Sequence, residues 1–137
     1  NSDETIIKLT DFGLSQFVNE TTTTKFVGSL TYVSPEMLSR IQHDMYKSDV
    51  WSLGVCLFIM RLGLFPFTRA DAHDYCFRNF YGQEDLMQHV LVKYRRENSM
   101  SVQMRRLLNC IFRPVLSRIS MTDIIFRDEW TINLWAA

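Results

Sequence analysis

The sequence predicts a mainly α-helical domain that begins with a few strand residues. Residues 49–62 are apolar on almost every side, which is typical of a helix buried in a core. Apolar residues between Met104 and Ile111 recur three and four positions apart, as on the buried face of a second helix. Isoleucine and leucine side chains over residues 6–9, flanked by threonines, indicate one short strand.

The long buried helix is expected to begin at Ser48 or Asp49, because either side chain can accept hydrogen bonds from the free N–H groups of a first helical turn. Gly63 is placed to end this helix, and Pro66 prevents its continuation. Further helical segments are predicted over residues 71–80, 86–94, from 104 up to Pro114, and 119–126.

A long loop precedes the buried helix. The stretch from Asp11 to Glu36 shows little helical or strand periodicity, and loops of this length inside a compact domain are usually functional. Four consecutive threonines, Thr21–Thr24, fit an extended or mobile loop tip, since threonine is a poor helix former. Pro35 then begins a short helix, with Ser34 as its expected cap.

The composition excludes several classes of function. Fifteen basic and fifteen acidic residues give zero net charge, and no basic tract marks a nucleic-acid partner. The longest apolar run, Leu53–Met60, is too short for a membrane helix, so no membrane partner is expected. We expect an intracellular, cytoplasmic protein, because no N-terminal stretch resembles a secretory signal.

The three cysteines and three histidines show no metal-ligand spacing, and no C-x-x-C motif occurs. A disulfide framework and a zinc site are therefore not expected. Cys56 lies in an apolar run and Cys110 lies beside leucines, so we expect both to be small buried hydrophobes.

Five short segments stand in the order and at the spacing found in protein kinases. They are Lys8–Ser15, Gly28–Glu36, Asp49–Gly54, Gly63–Phe67, and Arg118–Ser120 followed by Trp130. In turn they resemble the strand and D-F-G turn, the G-T-x-x-Y-x-A-P-E segment, the D-x-W-S-x-G opening of the large buried helix, the G-x-x-P-F motif, and the final R-I-x and tryptophan segment.

The chain thus resembles the helical C-terminal lobe of a eukaryotic-type serine/threonine protein kinase, an α+β fold present in part and starting at the strand before D-F-G. The resemblance implies one partial kinase domain over residues 1–137. Its parts would be an activation segment over 11–36, the large buried helix over 49–62, and C-terminal helices over 71–127. Calmodulin-dependent-like and NIMA-related-like subfamilies both stay open.

The resemblance also implies roles for single residues. Asp11, in the cofactor-binding turn with Phe12 and Gly13, would hold Mg²⁺ against the phosphates of ATP. The alternative for Asp11 is an ordinary turn residue. Ser29 and Tyr32 would shape the pocket for a protein substrate, although Ser29 could instead only cap its loop.

Four further residues would have structural roles. Glu36 and Arg118 would form a buried ion pair, and Trp51 belongs to the opening of the buried helix. Asp49 would steady the backbone of the catalytic loop, or only cap its own helix.

Phosphorylation of Thr23 or Thr24 is a further hypothesis, with a solvated polar loop as its alternative. The position most often phosphorylated in the family is Lys25 here, one place from Thr24.

The 137 residues contain no glycine-rich phosphate loop, strand lysine or H-R-D loop. We expect the chain to begin just after the catalytic loop and to be inactive without its own missing N-lobe and catalytic loop. Two hypotheses stay open. The chain is a piece of an active kinase that transfers the γ-phosphate of ATP to serine or threonine hydroxyls, or it is a non-catalytic remnant that acts as a binding or regulatory module.

Overall fold

The computed structural model describes residues 8–17 and 22–127. Most regular structure in these ranges is helical, which confirms the predicted class, and a 3-10 turn over Phe12–Leu14 comes first. The remaining elements are β1 (Thr22–Thr23), α1 (Pro35–Leu38), β2 (His43–Asp44), α2 (Met45–Leu62), α3 (Tyr75–Phe80), α4 (Leu86–Lys93), α5 (Val102–Ile111) and α6 (Met121–Arg127).

Half of the strand expected over residues 6–9 lies outside the described residues. Lys8 and Leu9 are described and do not form a strand. The two strands observed instead, β1 and β2, pair in an antiparallel sheet of two residues each. Residues 11–36, the predicted activation segment, therefore contribute a strand where the sequence indicated only a loop.

Helix α2 begins earlier than the sequence indicated. The predicted start at Ser48 or Asp49 is wrong, because Asp44 caps the helix and accepts hydrogen bonds from the N–H groups of Tyr46 and Lys47. By accepting these hydrogen bonds, Asp44 satisfies two of the free N–H donors of the first turn. The helix therefore begins about one turn earlier than the sequence indicated. The predicted end is confirmed: Gly63 has a left-handed conformation at φ 68°.

Aromatic and aliphatic side chains from α2, α4 and α5 form the core. The fully buried Trp51 ring packs edge-on against Phe112 at a centroid distance of 4.9 Å and stacks on Phe67 at 5.8 Å. At Gly54 the backbone of α2 comes so close to α5 that an added Cβ would lie 2.4 Å from Cγ2 of Ile111. The helices meet at this point because glycine has no side chain.

Helices α4 and α5 are also joined by polar contacts. Asp85 caps α4 through the N–H of Gln88 and accepts a hydrogen bond of 2.8 Å from Asn109 on α5. Asn109 in turn accepts a hydrogen bond of 2.9 Å from the N–H of Met87. Helix α5 ends at Ile111, before the predicted stop at Pro114.

The expectation that Cys56 and Cys110 are buried is wrong, since both are exposed. Cys56 lies on the same face of α2 as Met60, which is 74% exposed, and the neighbouring Val55 and Phe58 take the core positions. Cys110 lies opposite the buried face of α5. Among the helices that the structure describes, none has the length and hydrophobicity needed to cross a bilayer.

Candidate functional site

Residues of the predicted activation segment, Met37 of α1 and the first half of α2 line an open cavity of about 370 Å³. We call it the segment cavity. Residues from the segment and from α2 contribute polar atoms to its wall, among them Ser15, Thr23, Lys25, Tyr32, Asp49 and Ser52.

Asp11 lies in a strained turn at the start of the activation segment. Its backbone is left-handed, at φ 61° and ψ 71°, and its Oδ1 accepts a hydrogen bond of 3.4 Å from the N–H of Gly13. Such a conformation is uncommon for a residue other than glycine and is typical of functional sites. The carboxylate is exposed, and the Phe12 ring beside it is 66% exposed.

The exposed Asp11 carboxylate suits Mg²⁺ as a single protein ligand. Mg²⁺ prefers oxygen ligands and usually keeps several waters together with substrate phosphates, so it needs only one or two carboxylates. Over residues 8–17 and 22–127, no group of three or more potential metal-binding side chains comes together. The turn role and the metal role are compatible, because Asp11 makes only one weak hydrogen bond.

Ser29 begins a tight turn near the end of the activation segment. Its carbonyl accepts hydrogen bonds from the N–H groups of Tyr32 and Val33, at 2.9 and 3.3 Å. Gly28 precedes the turn at φ 110°, a conformation that favours glycine. The Ser29 residue is exposed.

Tyr32 is held from two sides. Its carbonyl accepts a hydrogen bond of 2.9 Å from the Ser52 hydroxyl on α2, and its ring packs edge-on against Phe65 at 5.8 Å. These contacts fix the turn that carries Ser29 against the buried helix.

The threonine run is partly ordered by strand pairing. Thr22 pairs with Asp44 and Thr23 with His43, while the Thr22 hydroxyl accepts a hydrogen bond of 3.0 Å from Gln42. Thr24 is exposed, and Thr21 lies outside the described residues. The pairing attaches the middle of the activation segment to the cap of α2.

One interpretation of the sequence was that Asp49 caps α2. In the structure Asp49 lies in the second turn of this helix and does not cap it. Its side chain faces the segment cavity and has no hydrogen-bond partner among the residues that the structure describes. Asp49 is an exposed residue, and partial burial of its side chain raises the pKa of the carboxyl.

A bidentate ion pair joins Glu36 to Arg118. Nη1 of Arg118 lies 2.6 Å from Oε1 of Glu36, and Nη2 lies 3.0 Å from Oε2. The arginine and carboxylate side chains are 0% and 4% exposed. The predicted partners are thus together in the structure, in the two-pronged geometry that gives the strongest charge-assisted hydrogen bonds.

All five N–H groups of the Arg118 guanidinium donate hydrogen bonds in this site. Arg118 donates to the carbonyl of Lys47 at 2.8 Å and twice to the carbonyl of Arg113, at 3.1 and 3.0 Å. Its guanidinium also lies over the Trp51 ring, 4.9 Å from the centroid. These contacts offset the cost of burying the charge.

Burial alone would raise the pKa of Glu36, but the hydrogen bonds and positive charge of Arg118 outweigh it. They hold the pKa of this carboxyl below its ordinary value. The carboxylate is therefore ionised wherever the pair is formed at neutral pH.

Two serines extend this pair, a role that the sequence did not indicate for either of them. Ser48 donates to Oε1 of Glu36 at 3.3 Å, and its hydroxyl lies 3.1 Å from that of Ser34. The expectation that the Ser34 side chain caps α1 is therefore wrong, because its buried hydroxyl faces Ser48 instead.

Lys47 was also missed, and it donates to the carbonyl of Arg118. The local sequence around Lys47 and Ser48 gives no indication of their contacts with Arg118 and Glu36. Asp44 was detectable, because an aspartate directly before a helical segment is a common cap.

Comparison with known proteins agrees with this arrangement. Residues 1–131 match the family model described as "Protein kinase domain". The chain therefore belongs to the eukaryotic-type serine/threonine protein kinase family.

Among its relatives, the dual specificity protein kinase FUZ7 of Mycosarcoma maydis is 47% identical over 83 residues, which cover 58% of this chain and 18% of that protein. Testis-specific serine/threonine-protein kinase 3 of Homo sapiens is 41% identical over 68 residues, 47% of this chain and 25% of that protein. Serine/threonine-protein kinase SRK2H of Arabidopsis thaliana is 33% identical over 133 residues, 94% of this chain and 35% of that protein. The chain spans about a third or less of these relatives.

Proposed function

We propose that residues 1–137 are part of a kinase domain that transfers the γ-phosphate of ATP to serine or threonine hydroxyls of a protein substrate. The observation that carries this proposal is the exposed Asp11 carboxylate at one end of a segment whose other end is fixed by the Glu36–Arg118 pair. A segment anchored in this way can hold its groups in a constant position, on which phosphoryl transfer depends.

Asp11 would bind Mg²⁺, which neutralises the charge on the phosphate oxygens of ATP when bound. Gly13 leaves room for the turn, since a Cβ there would lie 3.3 Å from Oδ1 of Asp11. Phe12 would contact groups outside the described residues, because most of its ring is free in this structure.

Ser29 and Tyr32 would form the pocket beside the acceptor hydroxyl of the substrate. Support comes from the exposure of Ser29 and from the two contacts that fix Tyr32 on α2 and Phe65. In this proposal Ser29 is available to a bound peptide because its carbonyl, and not its side chain, closes the turn.

Thr24 and Thr23 are proposed phosphorylation sites. Thr24 is exposed, whereas Thr23 is half-buried and its hydroxyl accepts a hydrogen bond of 3.1 Å from the N–H of Lys25. Thr24 is therefore the more accessible of the two, and Lys25 beside it could pair with an added phosphate.

The segment cavity would receive the catalytic loop, which is not among the 137 residues. Support comes from Asp49, an exposed residue of the cavity wall whose carboxylate has no hydrogen-bond partner among the described residues and whose pKa is raised by partial burial. Backbone N–H groups of a catalytic loop would donate hydrogen bonds to the Asp49 carboxylate. We therefore propose that the chain needs its N-lobe and catalytic loop for activity.

An Asp11→Asn substitution tests the function, made in a protein that joins this chain to an N-lobe and a catalytic loop. We expect phosphate transfer to a protein substrate to fall by at least about a hundredfold, because the neutral amide is a weak ligand for Mg²⁺. Asp71→Asn, on the connection between α2 and α3, serves as the matched control and is expected to retain activity. Equal activity of the wild type and the Asp11 variant would favour the non-catalytic binding module.

A further inference from the structure

A second cavity, of about 300 Å³, lies between the C-terminal end of α2 and the α4–α5 connection. We call it the arginine pocket. Four residues line it: Arg61 and Leu62 from the last turn of α2, and Arg96 and Ser99 from the connection.

The two arginine side chains of this pocket have no hydrogen-bond or ion-pair partner within the described part of the chain. Both residues are exposed, and the nearby Glu97 does not line the cavity. Three other arginines are paired with acids in the same structure: Arg69 with Asp71, Arg105 with Asp85, and Arg118 with Glu36.

The connection that carries Arg96 has a defined backbone. Helix α4 ends in a Schellman motif, in which the N–H of Arg95 donates to Val92 at 3.0 Å and the N–H of Arg96 donates to Leu91 at 2.9 Å. Ser99 then donates its N–H to the carbonyl of Arg96 at 2.9 Å. Arg96 and Ser99 are therefore presented by one closed turn.

Arg95 occupies the position of this motif at which glycine is usual, with φ 56°. A non-glycine residue in this conformation is strained by about 1–2 kcal/mol. The backbone of Arg96 is thus held in place by this turn.

The chemistry of the arginine pocket favours a doubly charged oxyanion. Each guanidinium presents a planar fork of donors that matches phosphate oxygens, and Ser99 adds a hydroxyl. A phosphate monoester carries about −1.5 to −2 charges at pH 7, close to the sum of two arginines, whereas a carboxylate carries only one.

We propose that the arginine pocket binds a phosphorylated side chain of a protein partner. The pocket is separate from the segment cavity, because Arg61 follows Asp49 by twelve residues on α2, or about 18 Å along the helix axis. A partner already phosphorylated elsewhere would dock there at a distance from Asp11. This inference does not depend on the proposed activity of the site at Asp11.

Calorimetric titration of the 137-residue chain tests the proposal. The probes are a short alanine-rich peptide with one phosphoserine, the same peptide unphosphorylated or with glutamate in place of phosphoserine, and inorganic phosphate. We expect the phosphopeptide to bind more tightly than all three others. Arg61→Gln and Arg96→Gln should each weaken it by about ten- to a hundredfold, the value of one charge-assisted interaction.

Arg106→Gln is the matched control, since Arg106 is an exposed arginine of α5 outside the pocket and should bind like the wild type. Arg96→Lys, which keeps the charge but loses the fork, should bind with intermediate affinity. If Arg61→Gln does not fold, as judged by circular dichroism, the two Arg96 variants decide alone.

Three results would overturn the proposal. The first is no binding of the phosphopeptide to the wild-type chain. The second is an equal loss of affinity in Arg106→Gln, which would mean non-specific attraction. The third is inorganic phosphate binding as tightly as the phosphopeptide, which would make the pocket a site for free phosphate.

Discussion

The Glu36–Arg118 pair is the contact on which most of the site depends. It joins the end of the activation segment to the residues after α5, and both charges are withdrawn from water. A buried pair need not stabilise a protein more than apolar residues would, but breaking it leaves one charge unpaired. The pair therefore matters most as a constraint on where the activation segment ends.

Arg118→Ala should lower the free energy of unfolding by about 3–5 kcal/mol, because Glu36 would remain buried without its partner. Urea unfolding followed by circular dichroism measures the change. Arg106→Ala, at an exposed position of α5, should change the stability by less than about 0.5 kcal/mol. An unchanged unfolding midpoint in Arg118→Ala would show that the pair does not anchor the segment.

The depressed pKa of Glu36 predicts a loss of stability in acid. A carboxyl with a lower pKa in the folded state stabilises the fold above its unfolded value of 4.5, and this contribution is lost as the pH falls through the folded pKa. Glu36→Gln should reduce stability at pH 7 and flatten its dependence on pH below 4.5. Glu84→Gln, at an exposed position, should leave the wild-type slope intact, and the same slope in both variants would refute the assignment.

The sequence indicated this site only through its resemblance to a family. Glu36 and Arg118 are separated by 82 positions, and no helical or strand periodicity relates residues so far apart. Ser34 and Ser48 were missed because a buried serine hydroxyl has the same sequence signal as an exposed one. Such contacts depend on tertiary packing rather than on local propensity.

At the scale of elements, the close approach of α2 and α5 at Gly54 limits what the core accepts. Gly54→Ala should destabilise the chain, because the new methyl group would lie 2.4 Å from the fully buried Ile111. Overpacking costs about 1–3 kcal/mol, against the roughly 1 kcal/mol that alanine gains over glycine in a helix. Cys56→Ala, at an exposed position of α2, is the control for thermal unfolding. A higher melting temperature for Gly54→Ala would contradict the packing described.

The strained end of α4 gives a prediction with the opposite sign. Arg95→Gly should raise the free energy of unfolding by about 0.5–1 kcal/mol, since glycine accepts φ 56° without strain, although it also gains freedom when unfolded. Glu97→Gly, which has no positive φ to relieve, should not stabilise the chain. Chemical denaturation of both variants measures the free energy of unfolding. A loss of stability in Arg95→Gly would contradict the inference that the backbone of Arg95 is strained.

Helix boundaries show where local signals sufficed and where they did not. The end of α2 at Gly63 followed from a glycine that can adopt a left-handed conformation. Its start at Met45 was missed because Ser48 and Asp49 are capping residue types as well as Asp44, and they lie closer to the apolar run. Cys56 was misplaced because a helix with few polar residues gives little indication of which face is exposed.

At the scale of the molecule, the helical lobe is organised around α2. Its first half lines the segment cavity at Asp49, and its far end carries Arg61 in the arginine pocket. Met60 and Cys56 are exposed and lie on one face of α2. Most other apolar residues of this helix pack into or against the core.

Phosphate transfer tests the proposed division of the site between this chain and an N-lobe with a catalytic loop. The purified 137-residue chain is incubated with Mg²⁺ and radiolabelled ATP in the presence of a general protein substrate, beside a blank without the chain. We predict no incorporation above the blank, because no strand lysine or catalytic aspartate of the family pattern accompanies the proposed metal ligand Asp11 in the 137 residues. Incorporation above the blank that disappears in Asp11→Asn would contradict this division and place a complete active site within the 137 residues.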